Sequence, residues 1–194
     1  MGSLALALIL LSSPIAAAEK QLRPFAAVTF KGSTTFTLGT AGASKRHGVV
    51  GMGAALVGDI VGIEGDVSWT PRFFQDEPRL VIHGPVTTAT GNIVITLPKR
   101  LTEYTLRPYF IAGVGLMRMS IDDALSVFVL SKTLPAYDIG GGAVGFLTSQ
   151  VGLAWDVRRF NTLKAVTVEP GLSTEPPFGR LSFWRASMAL VVRY

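Results

Sequence analysis

The chain has 194 residues, no cysteine, a net charge of +5 and a mean hydropathy of +0.42. The missing cysteines exclude a disulfide scaffold, a thiolate metal site and a cysteine nucleophile. The basic residues are dispersed and form no binding motif, which argues against a nucleic-acid partner and reads as ordinary surface charge on loops and element ends.

Leu4 to Leu11 is a continuous apolar run, broken by Ser12-Ser13-Pro14 and followed by the small residues Ala16-Ala17-Ala18. This is the pattern of a secretory signal with its cleavage site, although no Lys or Arg precedes the run. Residues 1–18 are therefore expected to be a signal peptide and residues 19–194 a single domain. No comparable apolar run follows. A chain this apolar without such runs either buries a large core or turns an apolar face to lipid as strands.

Eight strands are expected, in the following order. The first covers Pro24 to Lys31 and the second His47 to Val57, which ends at the tight turn Gly58-Asp59. In the third, Val61, Ile63, Val67 and Trp69 alternate with Gly62, Glu64, Asp66 and Ser68. The fourth, Gly91 to Leu97, puts Ile93, Ile95 and Leu97 on one face. The fifth, Thr105 to Arg118, alternates Phe110, Ala112, Val114 and Leu116 with Tyr109, Ile111, Gly113 and Gly115. The sixth, Asp138 to Leu147, is rich in glycine and ambiguous in its facing. The seventh places Val151, Leu153, Trp155 and Val157 opposite Gly152, Ala154, Asp156 and Arg158. The eighth runs to the last residue, with Trp184, Ala186, Met188, Leu190 and Val192 on one face and Tyr194 at the end. Alternation of this kind is the mark of strands with one apolar face.

Connections alternate in length. Short turns are expected at Gly58-Asp59, Pro98 to Glu103 and Thr148 to Gln150. Longer segments are expected at Gly32 to Arg46, Pro71 to Thr88, Met119 to Tyr137 and Asn161 to Gly179. Within the third of these, Ala124 to Lys132 is apolar enough for a short helix or a strand extension. The final strand resembles the C-terminal strand by which outer-membrane barrels are recognised for assembly. RPYFIAGVGLMR (107–118), GGGAVGF (140–146) and VGLAWDVRRF (151–160) look like strand signatures of the same group. The chain as a whole resembles the bacterial outer-membrane β-barrel domain proteins, specifically the small eight-stranded OmpA/OmpX type.

The resemblance implies an all-β, eight-stranded antiparallel up-and-down transmembrane barrel in the bacterial outer membrane. It implies insertion by the barrel-assembly machinery, with Tyr194, Val192 and Leu190 as the assembly signal. It also implies contact with outer-membrane lipids and lipopolysaccharide, and surface loops available to an external ligand. It carries no function by itself.

With the apolar face toward lipid, Glu64, Asp66, Asp156, Arg107, Arg158 and Arg185 point inward, beside Ser68, Asn92, Thr96 and Ser187. Eight strands enclose a space just wide enough for side chains. Paired charges there would form a packed polar plug, with a narrow ion path lined by the same residues as the alternative. A soluble barrel with its apolar face inside is a second fold alternative, but the terminal aromatic and the glycine-rich charged face favour polar-inside. Trp69, Tyr109 and Trp155 are expected as interface aromatics, together with Phe110 and Tyr194. Phe73, Phe74 and Phe178 are loop aromatics that could stack on carbohydrate.

No enzyme is expected, a lipid A-modifying activity being the last of the alternatives after an anchor and a small channel. The two histidines, His47 and His83, have no convincing nucleophile beside them: Ser44 lies on a loop, and no G-x-S-x-G pattern is present. Asp122-Asp123 reads as a solvated acidic turn. No ligand spacing for a metal is present, and no cofactor is implied.

Overall fold

The computed structural model describes residues 18–34, 46–71, 73, 84–98, 106–122, 129–163 and 181–194. Eight antiparallel strands close into one barrel in chain order: β1 (Glu19–Thr34), β2 (His47–Val57), β3 (Val61–Thr70), β4 (Val86–Thr96), β5 (Leu106–Asp122), β6 (Val129–Phe146), β7 (Val151–Thr162) and β8 (Leu181–Arg193). Each strand pairs with its sequence neighbour, and β1 pairs with β8 to close the ring. Among the described residues there is no helix.

Alternation decides which face is inside. Along β3 every even residue is buried and every odd one exposed, and β4 and β7 follow the same parity through most of their length. The outward side chains are apolar and bare: Ile63 is 58 % exposed, Met188 63 % and Val114 64 %. The inward set is mixed, with Glu64, Asp66, Asp156, Arg158 and Arg185 all buried. A protein surrounded by water does not expose so continuous an apolar belt. The soluble alternative, with apolar side chains inside, is thereby set aside.

Several elements are longer than the alternation suggested. β1 begins five residues earlier than expected, at Glu19, and crosses Pro24. Proline has no N–H to give a ladder, and the β1–β8 pairing skips Arg23 and Pro24 before resuming at Phe25 and Ala189. A second irregularity lies between Phe30 and Ser33, where Lys31 takes a left-handed conformation (φ 49°).

β5 and β6 also outrun their neighbours. Their ladder continues to the pair Asp122 and Val129, whereas β4 and β7 stop alongside Met119 and Ala136. The expected third long loop is thus largely a protruding hairpin, because Ser120 to Asp122 and Val129 to Lys132 keep the strand pattern going. Asp122 is the last residue of β5. Asp123 and residues 124–128 lie outside the described residues, as do residues 1–17 of the expected signal segment 1–18, Ser44, His83, Phe74 and Phe178.

The two ends of the barrel differ. One end gathers Glu19, the turn at Gly58 to Ile60, the connection after β4, the turn at Leu147 to Gln150, and Tyr194. The other carries the connections that follow β1, β3, β5 and β7. They are called here the terminal end and the loop end.

Glycines on β5 and β6 leave room for side-chain and backbone atoms of adjacent strands. A Cβ on Gly113 would overlap Asn92 Oδ1, and one on Gly142 would overlap the carbonyl oxygen of Trp155.

Candidate functional site

The inward residues stack in three layers. Nearest the loop end is an apolar cluster that includes Phe73, Met117, Phe160 and Phe183, with Phe160 and Phe183 stacked at 5.2 Å. Nearest the terminal end is a second cluster built on Val94, Ile111, Val144 and Val191, with Phe25 and Phe146 against it. Between them lies a network of charges.

Glu64 is the hub. Its Oε2 accepts from Arg23 Nη1 and its Oε1 from Arg158 Nη1, both at 2.7 Å. Arg158 then grips Asp156 with Nε and Nη2 at 3.1 and 2.9 Å. Asp156 accepts two more bonds, from Ser187 at 2.7 Å and from the Tyr109 hydroxyl at 2.9 Å. Arg23 extends the chain downward to Gln21, whose amide donates to Glu19. One connected path therefore runs from β1 through β3 and β7 to β5 and β8.

A second pair stands beside the first. Arg185 donates to both oxygens of Asp66, at 2.9 and 3.0 Å. Its guanidinium lies between the rings of Phe25 and Phe160, 4.7 and 4.8 Å from their centroids. Two aromatic faces and a bidentate carboxylate replace the water this cation has lost. Bringing such charges out of water is expensive, and only pairing of this quality offsets it. The void left beside Glu64, Asp66, Asp156 and Arg158 is about 10 Å³, no larger than one water molecule needs.

Five of the six residues expected to form an interior polar network come together in it: Glu64, Asp66, Asp156, Arg158 and Arg185. Arg107 does not join. It is buried at the terminal end, where it donates to the carbonyls of Leu97, Gly58 and Asp59 and to the Thr96 hydroxyl. It pins the turns there, because those carbonyls have no strand partner. Tyr109 is not an interface aromatic. It points inward, 5 % exposed, and bonds to Asp156. Phe73 is not free for carbohydrate either: it is fully buried between His47 and Phe183.

Trp69 and Trp155 do face outward, at different heights. Trp69 is next to last in β3 at the loop end. Trp155 sits five residues into β7 from the terminal end, beside Ala143 and Met188. Leu190 and Val192 are outward and exposed, and the backbone of Tyr194 donates to the carbonyl of Lys20.

Sequence reasoning missed Arg23 and Asp138. Arg23 precedes the proline at which the first strand was expected to start, yet Gln21 and Arg23 alternate with Leu22 and Pro24. Asp138 opens the glycine run whose facing was ambiguous; its neighbours Tyr137 and Ile139, both exposed, mark it as inward. Among the described residues no group of three or more His, Asp or Glu side chains is placed to hold a metal ion.

No family model matches the chain, and no curated relative does. Solved structures do. Neisserial surface protein A is 15 % identical, with a TM-score of 0.62 over 90 % of this chain and 97 % of that one. The outer membrane protein OprG of Pseudomonas aeruginosa is 14 % identical, with a TM-score of 0.58 over 92 % and 96 %. The attachment invasion locus protein Ail of Yersinia pestis, solved with the heparin analogue sucrose octasulfate, is 13 % identical, with a TM-score of 0.51 over 90 % and 98 %.

The chain has the fold of the small eight-stranded outer-membrane barrels. At these identities the likeness speaks for architecture alone.

Proposed function

We propose that the protein is a non-enzymatic bacterial outer-membrane barrel, exported by a cleaved signal peptide, that acts as a rigid membrane anchor for a contact surface at its loop end. The observation that carries this reading is the closed interior: paired charges fill the lumen between two apolar clusters, beneath an exterior of bare apolar side chains. Among the described residues the central pairs leave a void of only about 10 Å³ between them. The exterior belt matches what a strand that crosses a bilayer needs. The barrel-assembly machinery would read Tyr194, Val192 and Leu190 at the end of β8.

The contact surface would comprise the connections at the loop end and the protruding β5–β6 hairpin. Its partner is best sought among anions. The net charge is +5, and Arg118 and Arg159 face outward toward the loop end, Arg159 lying 5.7 Å over the Trp184 ring. Lipopolysaccharide phosphates are the nearest such groups at that depth of an outer membrane.

A small ion channel is the second reading. One observation favours it: Arg158 Nη1 lies 3.9 Å from both Asp66 and Asp138, so other carboxylates are in reach if it releases Glu64. Single-channel recording of the refolded protein in planar bilayers separates the two. A silent barrel of heat-modifiable gel mobility supports the anchor. Discrete, salt-dependent openings that change in a Glu64→Ala variant would replace it with the channel.

A further inference from the structure

Asp138 sits where the central charge network meets the apolar cluster of the loop end, and it is 1 % exposed. Its partners on the adjoining strands are Gly113 on β5 and Phe160 on β7. One has no side chain and the other presents an apolar ring. The residues two before and two after it on β6 are Ala136 and Gly140, with no polar side chain either. The side chains next to Asp138 on the barrel wall therefore give its carboxyl group nothing to bond.

Both carboxyl oxygens of Asp138 are buried without a hydrogen bond. The charged groups that face it are Arg158 on β7, Arg185 on β8, and Glu64 and Asp66 on β3. Arg158 Nη1 comes within 3.9 Å, beyond hydrogen-bond reach, and is bonded to Glu64 at 2.7 Å. Arg185 is committed to both oxygens of Asp66. The two cations that face Asp138 are thus held by other carboxylates, and those carboxylates repel a further negative charge.

Formal charge points the same way. In the ion-paired cluster three guanidiniums, those of Arg23, Arg158 and Arg185, face four carboxyl groups, those of Glu64, Asp66, Asp138 and Asp156. Glu64, Asp66 and Asp156 each accept at least two hydrogen bonds from the cluster. The fourth carboxyl group is in excess of the cations, and it is the one that accepts none.

We propose that Asp138 holds a proton in the folded barrel at neutral pH, and that it is the group through which the barrel interior responds to alkali. A buried carboxylate without hydrogen bonds costs far more than a buried neutral acid, and a group so placed neutralises instead. With that proton on Asp138 the cluster balances, three charges against three. When the proton leaves, the fourth negative charge falls on Arg158, which already serves Glu64 and Asp156.

The test compares the refolded protein with Asp138→Asn, which copies the shape of a neutral acid, and with Asp66→Asn, which neutralises an ion-paired carboxylate. Equilibrium urea unfolding is followed by tryptophan fluorescence. At neutral pH Asp138→Asn should unfold at or above the midpoint of the unsubstituted protein, and Asp66→Asn well below it. Asp138 is ionised at neutral pH in the unfolded chain, so the folded barrel binds one proton more and its stability falls as the pH rises. From about pH 5 to about pH 9 the midpoint of the unsubstituted protein should therefore drop relative to that of Asp138→Asn. Infrared spectra in an ester-free detergent carry the test if Asp138→Asn does not fold. The unsubstituted barrel should show the C=O band of a protonated carboxyl group at neutral pH, and the band should fade in alkali. Three results overturn the proposal. A folded Asp138→Asn that loses as much as Asp66→Asn means that Asp138 is ionised and held by Arg158. Parallel pH profiles for the unsubstituted protein and Asp138→Asn mean that Asp138 does not exchange the proton. A missing infrared band at neutral pH, or one that survives in Asp138→Asn and is lost in Glu64→Gln, removes the proton from Asp138.

Discussion

Arg185 on β8 and Asp66 on β3 meet across the lumen through two hydrogen bonds of 2.9 and 3.0 Å, although 119 residues separate them in the chain. Neither has access to water, and each is the other's principal partner. The pair therefore fixes the distance between two strands on different parts of the wall.

Breaking that pair from one side should be severe. Asp66→Asn strands a buried guanidinium between Phe25 and Phe160, and a loss of about 3–5 kcal/mol is expected. The double variant Asp66→Leu with Arg185→Met removes both charges and should lose less than Asp66→Asn alone. Urea unfolding of the three proteins checks this; a double variant that loses as much as Asp66→Asn or more would contradict the pairing argument.

Tyr109→Phe deletes one hydroxyl and leaves the ring under Arg23, whose guanidinium lies 5.6 Å from the ring centroid. The lost bond is to a carboxylate, so a drop of about 1.5–3 kcal/mol is expected. An interface tyrosine would lose almost nothing, so the unfolding midpoint distinguishes the inward placement from the outward one.

Gly142→Ala should abolish folding, whereas Gly65→Ala should be tolerated. At Gly142 the new methyl would meet backbone atoms of Trp155 and Asp156, which have no room to retreat; at Gly65 nothing lies within 4 Å. Heat-modifiable gel mobility reports the outcome directly: the unboiled Gly65→Ala protein should migrate as the folded form and Gly142→Ala should not.

Two single-tryptophan variants test the membrane reading. With the other tryptophans replaced by Phe, Trp155 should be quenched most by lipids brominated deep in the acyl chain and Trp69 by lipids brominated near the headgroup. Equal, weak quenching of both would contradict an exterior belt embedded in lipid.

The architecture was legible because a period of two leaves a mark on every strand. Glu64, Asp66 and Asp156 could be placed inside from their neighbours Ile63, Val67, Trp155 and Val157 alone. Depth along the barrel was not legible. Arg107 and Arg158 look alike as inward arginines, yet one pins rim carbonyls and the other holds the central network, a difference set by strand stagger that one strand cannot reveal. Tyr109 was misread because aromatics near strand ends occur on both faces, although its parity with Arg107 already pointed inward. Which carboxylate receives no hydrogen bond depends on contacts between strands far apart in sequence, so Asp138 left no local sign of it.

At the closing seam Arg193 donates to Glu19 at 3.0 Å and to the carbonyl of Ser149, and Tyr194 bonds to Lys20. These contacts join the first strand of the sheet to the eighth. Until β8 docks, β1 has one edge with nothing to bond. An unpaired edge invites wrong partners. Closure of this seam is what removes the last free edge of the sheet.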